Sequence, residues 1–205
     1  STDENVEFAR HAVGSVMSAG IVRLWASCVS GLSGSTLYAK TNAPGAARKT
    51  VTGVVACGGH DLGVLPDLTS DDVEELVALG ATPDTLVLLD GNTLIERRRT
   101  TVEGLRGIAL GAQVRTRAEP VVVVFSEPAG PAAPTEVRAI GALTMTERWR
   151  YHSDGTNTRV GQPEELGLAT GPDANDDGVG DVVVGMSPPV GAAEEGRCVQ
   201  LLSGA

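Results

Sequence analysis

Asp173-Ala174-Asn175-Asp176-Asp177-Gly178-Val179-Gly180-Asp181 runs straight into Val182-Val183-Val184-Gly185. Side-chain oxygens stand at the first, third, fifth and ninth positions of a tight loop. Alternate residues of a turning backbone converge on one point. Asp173, Asn175, Asp177 and Asp181 can therefore surround a single ion, with the Val179 carbonyl as a fifth ligand. A hard divalent cation takes several oxygens at roughly 2.3–2.6 Å, and Ca2+ accepts flexible geometry. Gly178 falls where the chain turns sharply, and glycine enters positive φ without steric cost. Asn and Asp also cap turns unaided, so an ion-free turn is the competing reading. The Val-Val-Val run that follows reads as a buried strand.

The opening Asp-x-Asn-x-Asp-Gly resembles an EF-hand loop, but that loop needs Glu at its twelfth position and a helix after it. Here the twelfth residue is Val184 and a strand follows. Taken together with Gly196-Arg-Cys-Val-Gln-Leu-Leu-Ser-Gly204, the stretch from Gly161 to Ala205 instead resembles one FG-GAP repeat. That repeat builds the β-propellers of integrin α-subunit heads and of many bacterial surface proteins. The match departs from the family in one place, where Val-Gly-Met-Ser-Pro replaces the commoner Val-Gly-Ala-Pro. The resemblance implies a loop that joins two strands of a blade and holds calcium. It also implies an adhesion-type protein-binding role, secreted or at the cell surface.

Composition bounds the rest. The 205 residues are 41% hydrophobic, enough for a real core in one domain or two. Aromatics are few, and the apolar content is Val, Leu and Ala. The formal net charge is −10, which repels nucleic acid and suits cations. Only Lys40 and Lys49 are lysines, so the positive charge is arginine. No apolar run approaches the ~18 residues of a membrane helix. The first residues lack signal-peptide order, and the chain begins at Ser1, which reads as a mature or processed form. Three cysteines (Cys28, Cys57, Cys198) allow one internal disulfide at most. Cys28–Cys57 and three inert buried thiols both remain open.

Earlier stretches read as worn copies of the same hairpin. Asp67, Thr69, Asp71 and Glu75 fall at the same first, third, fifth and ninth positions, ahead of Leu76-Val77. Thr85-Leu-Val-Leu-Leu-Asp-Gly91 parallels Cys198-Val-Gln-Leu-Leu-Ser-Gly204. A helix over 69–80 competes, capped by Ser70 and stopped by Gly80. As a loop copy, the segment has Asp72 where glycine belongs, which strains it and leaves weak calcium binding or none. Pro120-Val-Val-Val-Val-Phe125 parallels Asp181-Val-Val-Val-Gly-Met186, but Arg115-Thr-Arg-Ala-Glu119 before it cannot hold a cation. Arg115 or Arg117 could place a guanidinium there instead. The Arg97-Arg98-Arg99 run reads as a solvated strand edge.

Second-strand starts at Leu76, Val121 and Val182 give intervals of 45 and 61 residues, compatible with propeller blades of ~40–50 residues and one insertion. The expectation is an all-β, β-propeller-like chain of three to four four-stranded antiparallel blades, closing a ring or leaving it incomplete. Its segments are 1–57 (a degraded blade), 58–101 (a degenerate blade), 102–152 (a blade without an ion site) and 153–205. The last segment holds the calcium loop and lacks its outer strand. Its partners are a protein or copies of itself that complete the propeller, with no nucleic acid and no membrane span. His11, His60 and His152 stand in no nucleophile motif, a Gly-x-Ser-x-Gly elbow is absent, and the chain does not read as an enzyme. The rival reading is a viral or shell subunit with jelly-roll strands. A hydrolase on a propeller scaffold has no motif behind it.

Overall fold

The Val- and Leu-rich runs become the central strands of stacked sheets. The computed structural model describes residues 11–14, 24–31, 34–41, 47–57, 62–109, 114–115, 119–127, 135–152, 159–160, 168–170, 173–176, 180–187 and 198–202. These residues are all β, with seventeen strands in four sheets, no helix, and every strand pair antiparallel. The first sheet runs β1 (His11–Gly14), β2 (Leu24–Gly31), β3 (Gly34–Thr41) and β4 (Lys49–Thr52) in chain order. The second runs β5 (Leu62–Leu65), β6 (Glu75–Leu79), β7 (Thr85–Leu89) and β8 (Glu96–Thr101).

The third and fourth sheets share one variation. In the third, β9 (Leu105–Ile108) and β10 (Val114–Arg115) both pair with one edge of β11 (Pro120–Ser126). Next come β12 (Glu136–Gly141) and β13 (Glu147–His152). In the fourth, β14 (Arg159–Val160) and β15 (Leu168–Thr170) share one edge of β16 (Val182–Ser187), and β17 (Cys198–Leu202) takes the other. The pairings join near neighbours in sequence. A jelly roll needs strands distant in sequence to pair, and the described residues contain no such pairing.

The sheets pack face to face in chain order. Ala26, Cys28, Leu37 and Ala39 of the first meet Leu76, Ala78, Val87 and Leu89 of the second. The opposite face of the second, with Val77, Leu86 and Leu88, meets Val122, Val124 and Ile140 of the third. The far face of the third, with Val121, Val123, Val137 and Ala139, meets Val182 and Val184 of the fourth. Strands β7 and β12 are buried on both faces, while β8 and β13 are mostly exposed. That explains the continuous apolar runs in the middle strands and the arginines on the outer ones.

Turns set where the outer strands begin. Strand β8 starts only at Glu96 and β13 only at Glu147. In both places a turn intervenes. Asp90 N–H donates to the Ile95 carbonyl and Leu94 N–H to the Asp90 carbonyl; Gly141–Thr146 and Met145–Gly141 repeat the pattern. Leu94 and Met145 sit at φ 59° and 54°, a region costly for side chains with a Cβ. Both side chains are buried in the apolar layers, and that burial offsets the strain. Strand β4 ends at Thr52; beyond it Val55 bridges to Gly80, next to β6 of the second sheet. A Cys28–Cys57 disulfide joins β2 to this same segment, with Cα atoms 5.5 Å apart.

Candidate metal centre

The helix expected as one alternative over 69–80 is overturned by the loop that precedes β6. The Asp67 carboxylate accepts the backbone N–H groups of Thr69 at 3.0 Å, Ser70 at 2.6 Å, Asp71 at 3.4 Å and Asp72 at 2.9 Å. Ser70 and Asp72 each lie at φ 63°, which no α-helix tolerates. One carboxylate thus replaces the hydrogen bonds a helix would have made. Asp72 occupies the turn glycine's position in the left-handed region, as the loop alignment requires.

This loop draws three acids together. One carboxylate oxygen from each of Asp67, Asp71 and Glu75 lies within 4.8 Å of the others. Glu75 is buried; it accepts the Leu68 N–H at 2.6 Å and the Thr69 hydroxyl at 2.9 Å. Asp71 accepts the Val73 N–H at 3.0 Å and the Asn92 amide at 3.3 Å. Lys49 of β4 donates to Asn92 Oδ1 at 2.8 Å, bringing the first sheet's positive charge to the same end.

The described residues of the loop before β16 share two of these features. The Ala174 N–H donates to Asp181 Oδ2 at 2.7 Å, as Leu68 does to Glu75, from the second position to the ninth. Asp176, at the fourth position like Ser70, has φ 59°. Asp181 and Glu75 are each 1% exposed. The difference lies in the second oxygen. Glu75 gives its other oxygen to Thr69, whereas Asp181 Oδ1 is buried and has no hydrogen-bond partner among the described residues. Of the five sequence-derived ligands, Asp173, Asn175 and Asp181 belong to this described loop; Asp177 and Val179 lie outside the described residues. A buried acceptor oxygen left unpaired carries a desolvation cost of roughly 1–3 kcal/mol, and a cation would relieve it. Its donor set, carboxylates with an amide oxygen, is the hard-oxygen type that suits Ca2+.

The third sheet uses its acid differently. Glu119, 6% exposed, accepts the N–H groups of Leu143 at 2.9 Å and Thr144 at 3.2 Å and forms an ion pair with Arg148. In the second sheet Arg97, at the matching place after the turn, pairs with Asp90. Gly141 stands where Asp90 does, and a Cβ on it would lie 2.3 Å from Glu119 Oε1. The two hairpins thus keep one guanidinium–carboxylate pair but take the carboxylate from different strands. Arg148 places a guanidinium beside Glu119; of the two arginines suggested from sequence, Arg117 and the side chain of Arg115 lie outside what the structure describes.

The charges of the first loop polarise its acids. Burial opposes it, but the N–H groups of Asp72, Ser70, Thr69 and Asp71 hold the Asp67 carboxyl below its ordinary range. Burial, added to by the Asp67 and Asp71 carboxylates and opposed by Leu68 and Thr69, pushes Glu75 up to about 7. Its folded value thus exceeds the unfolded one, so the proton favours the fold. That stability is fully present below about 4.5 and is lost as pH rises through about 7. Between pH ~7.5 and ~5.5 the gain is about 2 kcal/mol, or roughly 4–8 °C in Tm. Melting the chelator-treated protein across this window, beside Glu75→Gln, checks it. The variant loses that part of the slope; an unchanged slope contradicts the assignment to Glu75.

Searches against protein-family models, curated proteins and solved structures find no match to this chain.

Proposed function

We propose that this protein is a calcium-stabilised, propeller-type β module of FG-GAP kind that works by protein–protein contact at the cell surface or outside the cell. The carrying observation is the buried Asp181 Oδ1, without a hydrogen-bond partner among the described residues, in a loop whose second-to-ninth-position hydrogen bond matches that of the Asp67–Glu75 loop. Asp173, Asn175, Asp177, Asp181 and the Val179 carbonyl would hold the ion. Its role is structural. Clustered carboxylates repel one another when empty, and a cation turns that repulsion into attraction that ties β15 to β16. The meander topology and face-to-face stacking of four sheets support the blade reading. The Cys28–Cys57 bridge supports an oxidising location. No catalytic constellation stands out among the described residues, so binding is preferred to chemistry.

Calcium at about 100 times its dissociation constant stabilises a single site by about 2.7 kcal/mol, which corresponds to roughly 5–11 °C in Tm. We expect EDTA to lower the melting temperature by this order and calcium to restore it. Asp177→Ala should reproduce the chelator-treated value in the presence of calcium. Superimposable melting curves with calcium and with chelator would rule the ion out.

A further inference from the structure

The inter-sheet contact repeats at fixed register positions, and at the last of them Leu201 is exposed. Val77 pairs with Leu88, Val123 with Ala139 and Val183 with Leu201. Leu88 is 4% exposed beneath the third sheet and Ala139 is 0% exposed beneath the fourth. Leu201 is 53% exposed. The same face of the fourth sheet therefore carries the same kind of apolar pair, with Val183 half-buried and Leu201 exposed, and no apolar cluster among the described residues covers it. Among the described residues β17 also pairs only with β16, whereas β3, β7 and β12 each carry a further strand. Stacked repeats bury their faces only against a neighbour, so an uncovered face marks the next docking position.

Charge identifies what fits there. Residues 153–205 carry nine acids and two bases, a formal −7. Residues 24–57 carry Lys40, Arg48 and Lys49 and no acid, a formal +3. The outer face of the first sheet presents exposed Lys40, Thr50 and Thr52 and the half-buried Tyr38. The Arg48 guanidinium lies 5.0 Å from the Tyr38 ring centroid. No apolar cluster among the described residues joins this face to the fourth sheet of the same chain.

We infer that the fourth sheet of one copy docks on the first sheet of a second copy, head to tail, with Leu201 and Val183 against Tyr38 and its basic surround. The inference rests on the binding-module reading above and names its partner. Such a contact leaves one free end on each copy, so it closes a ring or grows beyond a dimer. The opposite net charges of the two segments raise the association rate and make it salt-sensitive.

Sedimentation of the full chain tests this. We expect association that rises with concentration and weakens at least about tenfold between low and high salt. Leu201→Asp blocks one end, and Lys40→Glu with Tyr38→Ser blocks the other. Each variant alone should stay monomeric with unchanged circular dichroism. Mixed, they should form a 1:1 dimer that grows no further, because each supplies the end the other lacks. A wild-type monomer at every concentration overturns the inference, whether the face is closed by the chain's own first sheet or belongs to another protein. Association that survives both sets of substitutions overturns it too. Melting the same samples in calcium and in chelator separates the two claims. A monomer with an intact calcium response refutes the docking alone, and association without a calcium response refutes the metal alone.

Discussion

Reduction of the Cys28–Cys57 bridge is expected to lower the melting temperature by roughly 7–14 °C. The bridge closes a loop with sequence separation 29, and loop closure of that length takes about 3.5 kcal/mol of entropy from the unfolded chain. Cys28 is buried in the layer between the first two sheets, and Cys57 packs against that layer. The bridge therefore ties β2 to the segment that leads into the second sheet. Paired Cys28→Ala and Cys57→Ala substitutions should match the reduced wild type. Alkylation of the unfolded but unreduced chain should label one thiol, Cys198. Labelling of all three, or a Tm indifferent to reductant, would contradict the bridge.

Glu136→Gln is expected to destabilise by about 3 kcal/mol, because it leaves a buried guanidinium without its main partner. Arg138 and Glu136 are 6% and 5% exposed, and Arg138 Nε donates to Glu136 Oε2 at 2.7 Å. Glu136 Oε1 also lies 3.1 Å from His152 Nδ1 and 3.5 Å from Arg150. Arg138 keeps only the more exposed Glu147, at 3.7 Å, when Glu136 is lost. Replacing both members by apolar residues of similar volume, as in Glu136→Met with Arg138→Leu, should recover most of the loss, since desolvating the pair is itself costly. Urea unfolding of the two variants decides this. A single variant with wild-type stability would show that the pair contributes little.

The strands were legible where burial on both faces demands unbroken aliphatic runs, as at Val121–Val124 and Val182–Val184. The turns before β8 and β13 were not. They place Leu94 and Met145 in the left-handed region, where local preference asks for glycine, and tertiary burial decides instead. The Asp67 loop was ambiguous because Ser70 and Gly80 imitate helix caps. Only the placement of the Asp67 carboxylate, which captures four N–H groups, settles it. The ion pair of Glu119 with Arg148 lay beyond sequence reading, since its partners meet through the β11–β12 and β12–β13 pairings. The first and ninth positions of both oxygen-rich loops were readable from spacing. That Glu75 would satisfy both its oxygens while Asp181 leaves one bare depends on side-chain length and on the third residue of each loop.

The proposed cation in the loop from Asp173 to Asp181, held through Asp181, is open to calorimetric titration of calcium into metal-stripped protein, beside Asp181→Asn. Saturable binding to the wild type is expected, with loss of the tightest site in a variant that still gives the β-sheet circular dichroism of the parent. Absence of binding heat in the wild type, or an unchanged isotherm in Asp181→Asn, would contradict it.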